Sequence, residues 1–145
     1  MNASAFFSDE EKKRLKEAIT KAELDTSGEI RIHVETSIKG NVLDRAATVF
    51  AKLKMHKTEL RNGVLFYLAI KNHVFAILGD AGINKAVSEN FWDVIKETME
   101  SYFRNSDFTG GLCRGIEMAG EALKTHFPHH TNDKNELSDE VSFNE

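Results

Sequence analysis

Apolar positions along this chain change their period several times, and each change marks an element. Leu15, Ala18, Ile19 and Ala22 recur at helical spacing. Ser8 opens that segment, with Glu11 at the third position after it, the pattern of a capping box. The spacing predicts a helix from about Asp9 to Leu24, ended by the turn chemistry of Asp25-Thr26-Ser27-Gly28. From Glu29 to Thr36 the period falls to two. Ile30, Ile32 and Val34 face one side and Arg31, His33 and Glu35 the other, which predicts a strand with one wetter face. Leu43, Ala46, Ala47, Phe50 and Leu53 then return to helical spacing.

Val64 to Ile70 is apolar without alternation and predicts a strand buried on both faces. Lys71-Asn72 is short enough for a tight hairpin into a further apolar strand, His73 to Leu78, with Asn72 suited to a positive φ. A short helical turn is expected around Ile83 to Val87, and Ser88 is expected to cap the next helix. That helix carries the stripe Phe91/Trp92, Ile95, Met99 and Tyr102/Phe103. Asn105-Ser106-Asp107 ends it and caps a last helix with Leu112, Ile116, Ala119 and Leu123, stopped by Pro128. Two apolar strands need cover on both faces. The fold class expected is therefore α/β: a single central β-sheet sandwiched between helical layers, an α/β/α sandwich, with two helices sufficient for each face.

Charge divides the chain. The net charge is -4. From Pro128 onward Asp133, Glu136, Asp139, Glu140 and Glu145 face one basic residue, Lys134, so the body before it is neutral. Residues 1–127 are expected to be one α/β domain, and residues 128–145 an acidic, disordered tail without periodicity. Nothing in the body makes a basic footprint for nucleic acid. The lone Cys113 excludes an internal disulfide and a cysteine-based zinc site, and it is read as a small core residue. The first residues lack a basic region and a long apolar run, so no signal peptide is expected. No apolar run approaches the roughly 20 residues of a membrane helix, and a cytoplasmic location is expected.

Several short pieces occur in one register: Thr26-Ser27-Gly28-Glu29-Ile30, Arg61-Asn62-Gly63-Val64-Leu65, Ile77-Leu78-Gly79-Asp80-Ala81-Gly82-Ile83, Phe91-Trp92, Phe103, Asp107-Phe108 and Gly111-Leu112. In these pieces the chain resembles the TPM domain family, from about Leu15 to Phe127. The resemblance implies a sheet between helices and a divalent-cation site, with calcium, in a crevice at the strand ends. It also implies a weak acid phosphatase activity, attributed to plant members, and accessory, partner-binding roles. Two departures are visible. Arg61 stands where many relatives have an acidic residue before Asn-Gly, and the glycine turn after the hairpin carries its carboxylate at Asp80.

Glu29, Asn62 and Asp80 are predicted at strand ends, and Asp107 at a helix start. Such oxygen donors suit hard cations, Ca2+ or Mg2+. Each also has a purely structural role open to it: Glu29 as a solvated strand-start charge, Asn62 as a turn residue with positive φ, Asp80 and Asp107 as helix caps. His33 is expected to be a hydrogen-bonded packing residue. No Gly-x-Ser-x-Gly elbow, phosphate-binding glycine loop or His-Glu-x-x-His is present. The functions expected are divalent-cation binding, then a weak metal-dependent acid phosphatase, then a non-catalytic domain that binds a protein partner.

Overall fold

The computed structural model describes residues 2–128 and 141–145. A short helix α1 (Ala3–Phe6) precedes α2 (Asp9–Glu23), β1 (Glu29–Glu35) and α3 (Val42–Lys52). A single 3-10 turn at Met55–Lys57 leads to β2 (Gly63–Ala69) and β3 (Val74–Gly79). Helices α4 (Ala81–Ala86), α5 (Phe91–Arg104) and α6 (Phe108–His126) follow, and β4 (Ser142–Asn144) closes the described chain. The four strands form one sheet in the order β3-β2-β1-β4. β1 runs parallel to β2 and to β4, and β2 runs antiparallel to β3.

Local chemistry sets most of these boundaries. Ser8 accepts from Glu11 N, and the Glu11 carboxylate accepts from Ser8 N, so both halves of the capping box are made. The β2–β3 turn is longer than the two residues expected, because Ala69 pairs with Val74. His73, not Asn72, takes the positive φ, at 53°. Asn72 instead uses its amide on the backbone of Ile38, accepting from Ile38 N and donating to Ile38 O. Ser88 does not cap α5. Asn90 is the cap residue, without a side-chain capping bond, and Ser88 Oγ donates to Asn90 Oδ1.

The sheet is a sandwich, but an uneven one. Ile30, Ile32, Val34, Val64, Phe66 and Leu68 face a large core filled from α2, α5 and α6, with α1 and α4 at its margins. The opposite face needs less cover, since β1 presents Glu29, Arg31, His33 and Glu35 there. A smaller cluster of Ala46, Val49, Met55, Leu65, Tyr67 and Ala76 suffices, built from α3 and the 3-10 turn. Two helices per face is thus corrected to several against one.

The tail expected to be disordered from 128 divides in two. Residues 129–140 lie outside the described residues, while Ser142–Asn144 is a strand on the outer edge of β1. Too few residues are involved for a period to show. Long-range partners hold them instead: Thr36 N donates to Asn144 O at 3.0 Å, and Lys12 Nζ lies 5.1 Å from the Phe143 ring centroid.

Gly82 fixes how α4 meets the loop before β2. A Cβ there would sit 2.1 Å from the Leu60 carbonyl oxygen and 2.7 Å from that of Arg61. Both are backbone atoms and cannot rotate away. Gly82→Ala is expected to lower the urea unfolding free energy by about 3 kcal/mol, the upper end of overpacking costs. A wild-type midpoint would show that this loop yields freely.

Candidate functional site

Three of the predicted oxygen donors meet at one end of the sheet. Glu29 begins β1, Asn62 precedes β2 and Asp80 follows β3. Glu29 is paired with Gly63, and Asp80 N donates to Gly63 O at 2.9 Å. The two carboxylate residues therefore flank Gly63, about 10 Å apart at Cα by the spacing of two strand intervals. Gly63 leaves the space between them to Met55, whose carbonyl oxygen would lie 3.2 Å from any Cβ at that position.

All three donors are buried: Glu29 is 2% exposed, Asn62 1% and Asp80 7%. Glu29 N donates to Asn62 O at 3.3 Å, tying the two segments by backbone. The Asn62 amide donates to Ser27 Oγ at 3.3 Å. Its Oδ1 is buried and meets no donor among the described residues. Buried acceptors are seldom left so, which makes this oxygen the most informative atom of the crevice.

Asp80 is engaged more heavily than its sequence suggested. Its carboxylate accepts from Ala81 N at 2.8 Å, which caps α4. It also receives a two-pronged pair from Arg61, Nε at 2.6 Å and Nη2 at 2.7 Å. Such planar fork pairing is the strong form of an arginine–carboxylate contact. Arg61 reaches it from a left-handed backbone, φ 53°, so Arg61 and not Asn62 is the positive-φ residue of the turn. The guanidinium raises its own pKa by hydrogen bonding and attraction to Asp80. Arg31 shares the Glu29 face of β1. Its Nε is buried and meets no acceptor among the described residues, and burial lowers its pKa.

Asp107 does not join this group. It caps α6 by accepting from Gly110 N at 2.9 Å. α6 runs back along the sheet: its far end places Leu123 against Gly28 and Pro128 opposite Thr26. Its near end sets Phe108 against Phe6 and Phe103, and Phe103 against Phe75 at the start of β3. A helix of 19 residues spans about 28 Å, so Asp107 lies at the other end of the domain. Among the described residues no group of three or more His, Cys, Asp or Glu side chains is gathered as a metal cluster.

The largest polar assembly is one that sequence reasoning did not single out. Glu35, at the end of β1, is 1% exposed. Its carboxylate accepts from Arg45 Nε at 2.7 Å and Nη2 at 2.5 Å, from Asn144 Nδ2 at 2.7 Å, and from the Tyr67 hydroxyl. His33 Nε2 lies 3.4 Å from it, and His33 Nδ1 lies 2.6 Å from Ser142 Oγ. His33 is thus the hydrogen-bonded packing residue expected. Burial pushes the Glu35 carboxyl up, but the hydrogen bonds from Arg45, Tyr67 and Asn144 outweigh it and hold the pKa to about 2. Burial, then Glu35, pushes the Tyr67 hydroxyl up. Burial lowers the pKa of His33 against the attraction of Glu35. The period-two wet face of β1 was the sequence signal for Glu35. Arg45, Tyr67 and Asn144 had none, since each comes from a distant segment.

A βαβ unit, a hairpin and helices on both faces, with carboxylates buried at one end of the strands, define a small α/β/α domain. The chain belongs to the TPM domain family, whose model matches residues 1–122. It is similar to the BA42 protein of the psychrophilic bacterium Bizionia argentinensis, solved by NMR, at 45% identity. That match covers 96% of each chain with a TM-score of 0.89. Two more distant structures share the fold. The N-terminal domain of a P. gingivalis protein is 16% identical, with coverage of 88% and 84% and a TM-score of 0.72. The N-terminal domain of the cg2496 protein of Corynebacterium glutamicum is 14% identical, with coverage of 88% and 86% and a TM-score of 0.66. No curated protein matches the chain. Among the described residues no helix is long and apolar enough to cross a membrane.

The Glu35 assembly makes stability fall on acidification in two stages, because the unfolded chain binds more protons at both groups. The His33 contribution is full above its ordinary pKa of 6.5 and declines as pH falls below it. The Glu35 contribution is full above 4.5 and is lost as pH falls through about 2, an effect of about 3 kcal/mol. Urea midpoints measured from neutral pH downward should show both stages. Glu35→Gln should flatten the lower stage and His33→Asn the upper. A Glu35→Gln profile as steep as the parent would place the acid sensitivity elsewhere.

Proposed function

We propose that this TPM domain binds a hard divalent cation, Ca2+ or Mg2+, in the crevice at the start of β1 and β2. Glu29 and Asn62 would hold it, and Asp80 would join when Arg61 releases its carboxylate. One observation carries the reading: the buried Asn62 Oδ1, an acceptor with no donor among the described residues, beside the buried carboxylate residue Glu29. The donor set is all oxygen, two carboxylates and an amide carbonyl, and fits Ca2+ or Mg2+ rather than zinc or copper. When bound, such an ion would supply a fixed positive charge to polarise an oxygen of a ligand.

The same geometry sets its strength. Arg61 already neutralises Asp80, and Arg31 lies on the face of Glu29, so the site starts with cationic neighbours and weak affinity is expected. A phosphatase would also need a nucleophile or base near the ion. Asp80 is clamped by Arg61, and Asp107 caps the start of α6 at the opposite end of the domain, so neither is ready for that role. Cation binding without turnover is the reading these positions favour.

The test is a titration of Ca2+, then Mg2+, into chelator-treated, isotope-labelled protein, with backbone amides followed by NMR. Saturable shifts should centre on Gly28-Glu29, Arg61-Gly63 and Asp80-Gly82. Glu29→Gln should weaken binding at least about tenfold, and Arg61→Ala should tighten it several-fold by freeing Asp80. Asp107→Asn should change nothing. Unchanged affinity in both Glu29→Gln and Asp80→Asn, or shifts gathered around Asp107 instead, would refute the assignment.

A further inference from the structure

At the other end of the sheet a groove of about 690 Å³ opens beside the β2–β3 turn. Its volume lies within the range of small-molecule sites, roughly 300–1,000 Å³. Its wall is a row of phenylalanines. Phe75 and Phe103 meet edge to face at 4.9 Å, Phe103 and Phe108 lie 5.2 Å apart, and Phe108 meets Phe6 at 5.2 Å. These rings are only half-buried, although Leu68 beneath them is buried. The row comes from α1, β3, α5 and α6, so the packed sheet and helices hold it open.

The mouth of the groove is polar on one side. Lys96 and Arg104 line it two helical turns apart on α5, about 12 Å by helix geometry. Both are exposed, and neither makes an ion pair among the described residues. His73 borders the same mouth. One acid, Glu100, lies between the two cations and offsets part of their charge. An apolar aromatic wall below and uncommitted cations above complement a ligand with a hydrocarbon body and one anionic head.

We infer that this groove is a binding site for a small amphipathic monoanion, an aliphatic or aryl carboxylate, with its body on the Phe6/Phe75/Phe103/Phe108 row and its head at Lys96 and Arg104. The site is independent of the cation crevice, from which it is separated by the length of the strands.

Octanoate, octanol and octylammonium, each below its aggregation threshold, should be titrated into the full chain with NMR observation. Octanoate should give saturable shifts at Phe75, Phe103 and Phe108 and should bind several-fold more tightly than octanol. Arg104→Gln and Lys96→Gln should each weaken octanoate by roughly threefold, the scale of exposed charge pairs. Glu100→Gln should strengthen it. Lys96 and Arg104 are exposed and Glu100 is half-buried at the mouth, so the variants are expected to fold, and parental thermal unfolding would verify that. Equal affinity for octanol, preference for octylammonium, or shifts scattered without saturation would each overturn the proposal.

Discussion

A single buried carboxylate organises one face of this domain. Glu35 lies at the end of β1 and cannot keep its charge there without donors. It receives them from α3 through Arg45, from β2 through Tyr67 and from β4 through Asn144. Breaking such a group by removing one partner leaves an uncompensated charge, which is why buried pairs of this kind tie elements together even where their net contribution is small. The apolar cluster on this face is small, and the polar assembly takes over part of the work of joining sheet to helix. The larger core on the opposite face is packed from α2, α5 and α6.

What the sequence revealed follows the range of the interactions involved. The capping box of Ser8 and Glu11 acts within one helical turn, and it was readable. So were the alternation of β1, the unbroken apolar run of β2 and the stripe of α5, because each repeats a local period. Asp80 and Asp107 were legible as caps for the same reason. The end of the sheet where Glu29, Asn62 and Asp80 gather was legible once the strands were placed, since register brings them together. The clamp of Arg61 on Asp80 was not, because it depends on the left-handed backbone at Arg61 and on a partner 19 positions away. The distance of Asp107 from the other donors was not legible, because the direction of α6 relative to the strands has no sequence signal. β4 was missed because three residues carry no period and their partners are over a hundred positions away.

The two ends of the sheet have different chemistry, and strand direction explains it. At the start of β1 and β2, tight backbone turns bury oxygen donors against Gly63 and Gly82, with Arg61 as counter-charge. At their finish, α6 begins and α5 ends, and the aromatic residues of four elements meet without closing over one another. The middle of the sheet is tightly packed and insulates one end from the other. A substitution at either end should therefore leave its counterpart unperturbed, as expected for well-separated positions without shared partners.

β4 also guards an edge of the sheet. β1 and β4 are far apart in sequence, and Asn144 reaches Glu35 across 109 positions. Until β4 docks, the outer edge of β1 stays open, and the Glu35 charge has only part of its complement of donors. An open edge can pair with another chain, and a folding protein is exposed to that encounter for as long as β4 is undocked. Docking of β4 therefore does two things at once: it seals that edge against other chains and supplies the last donor to Glu35.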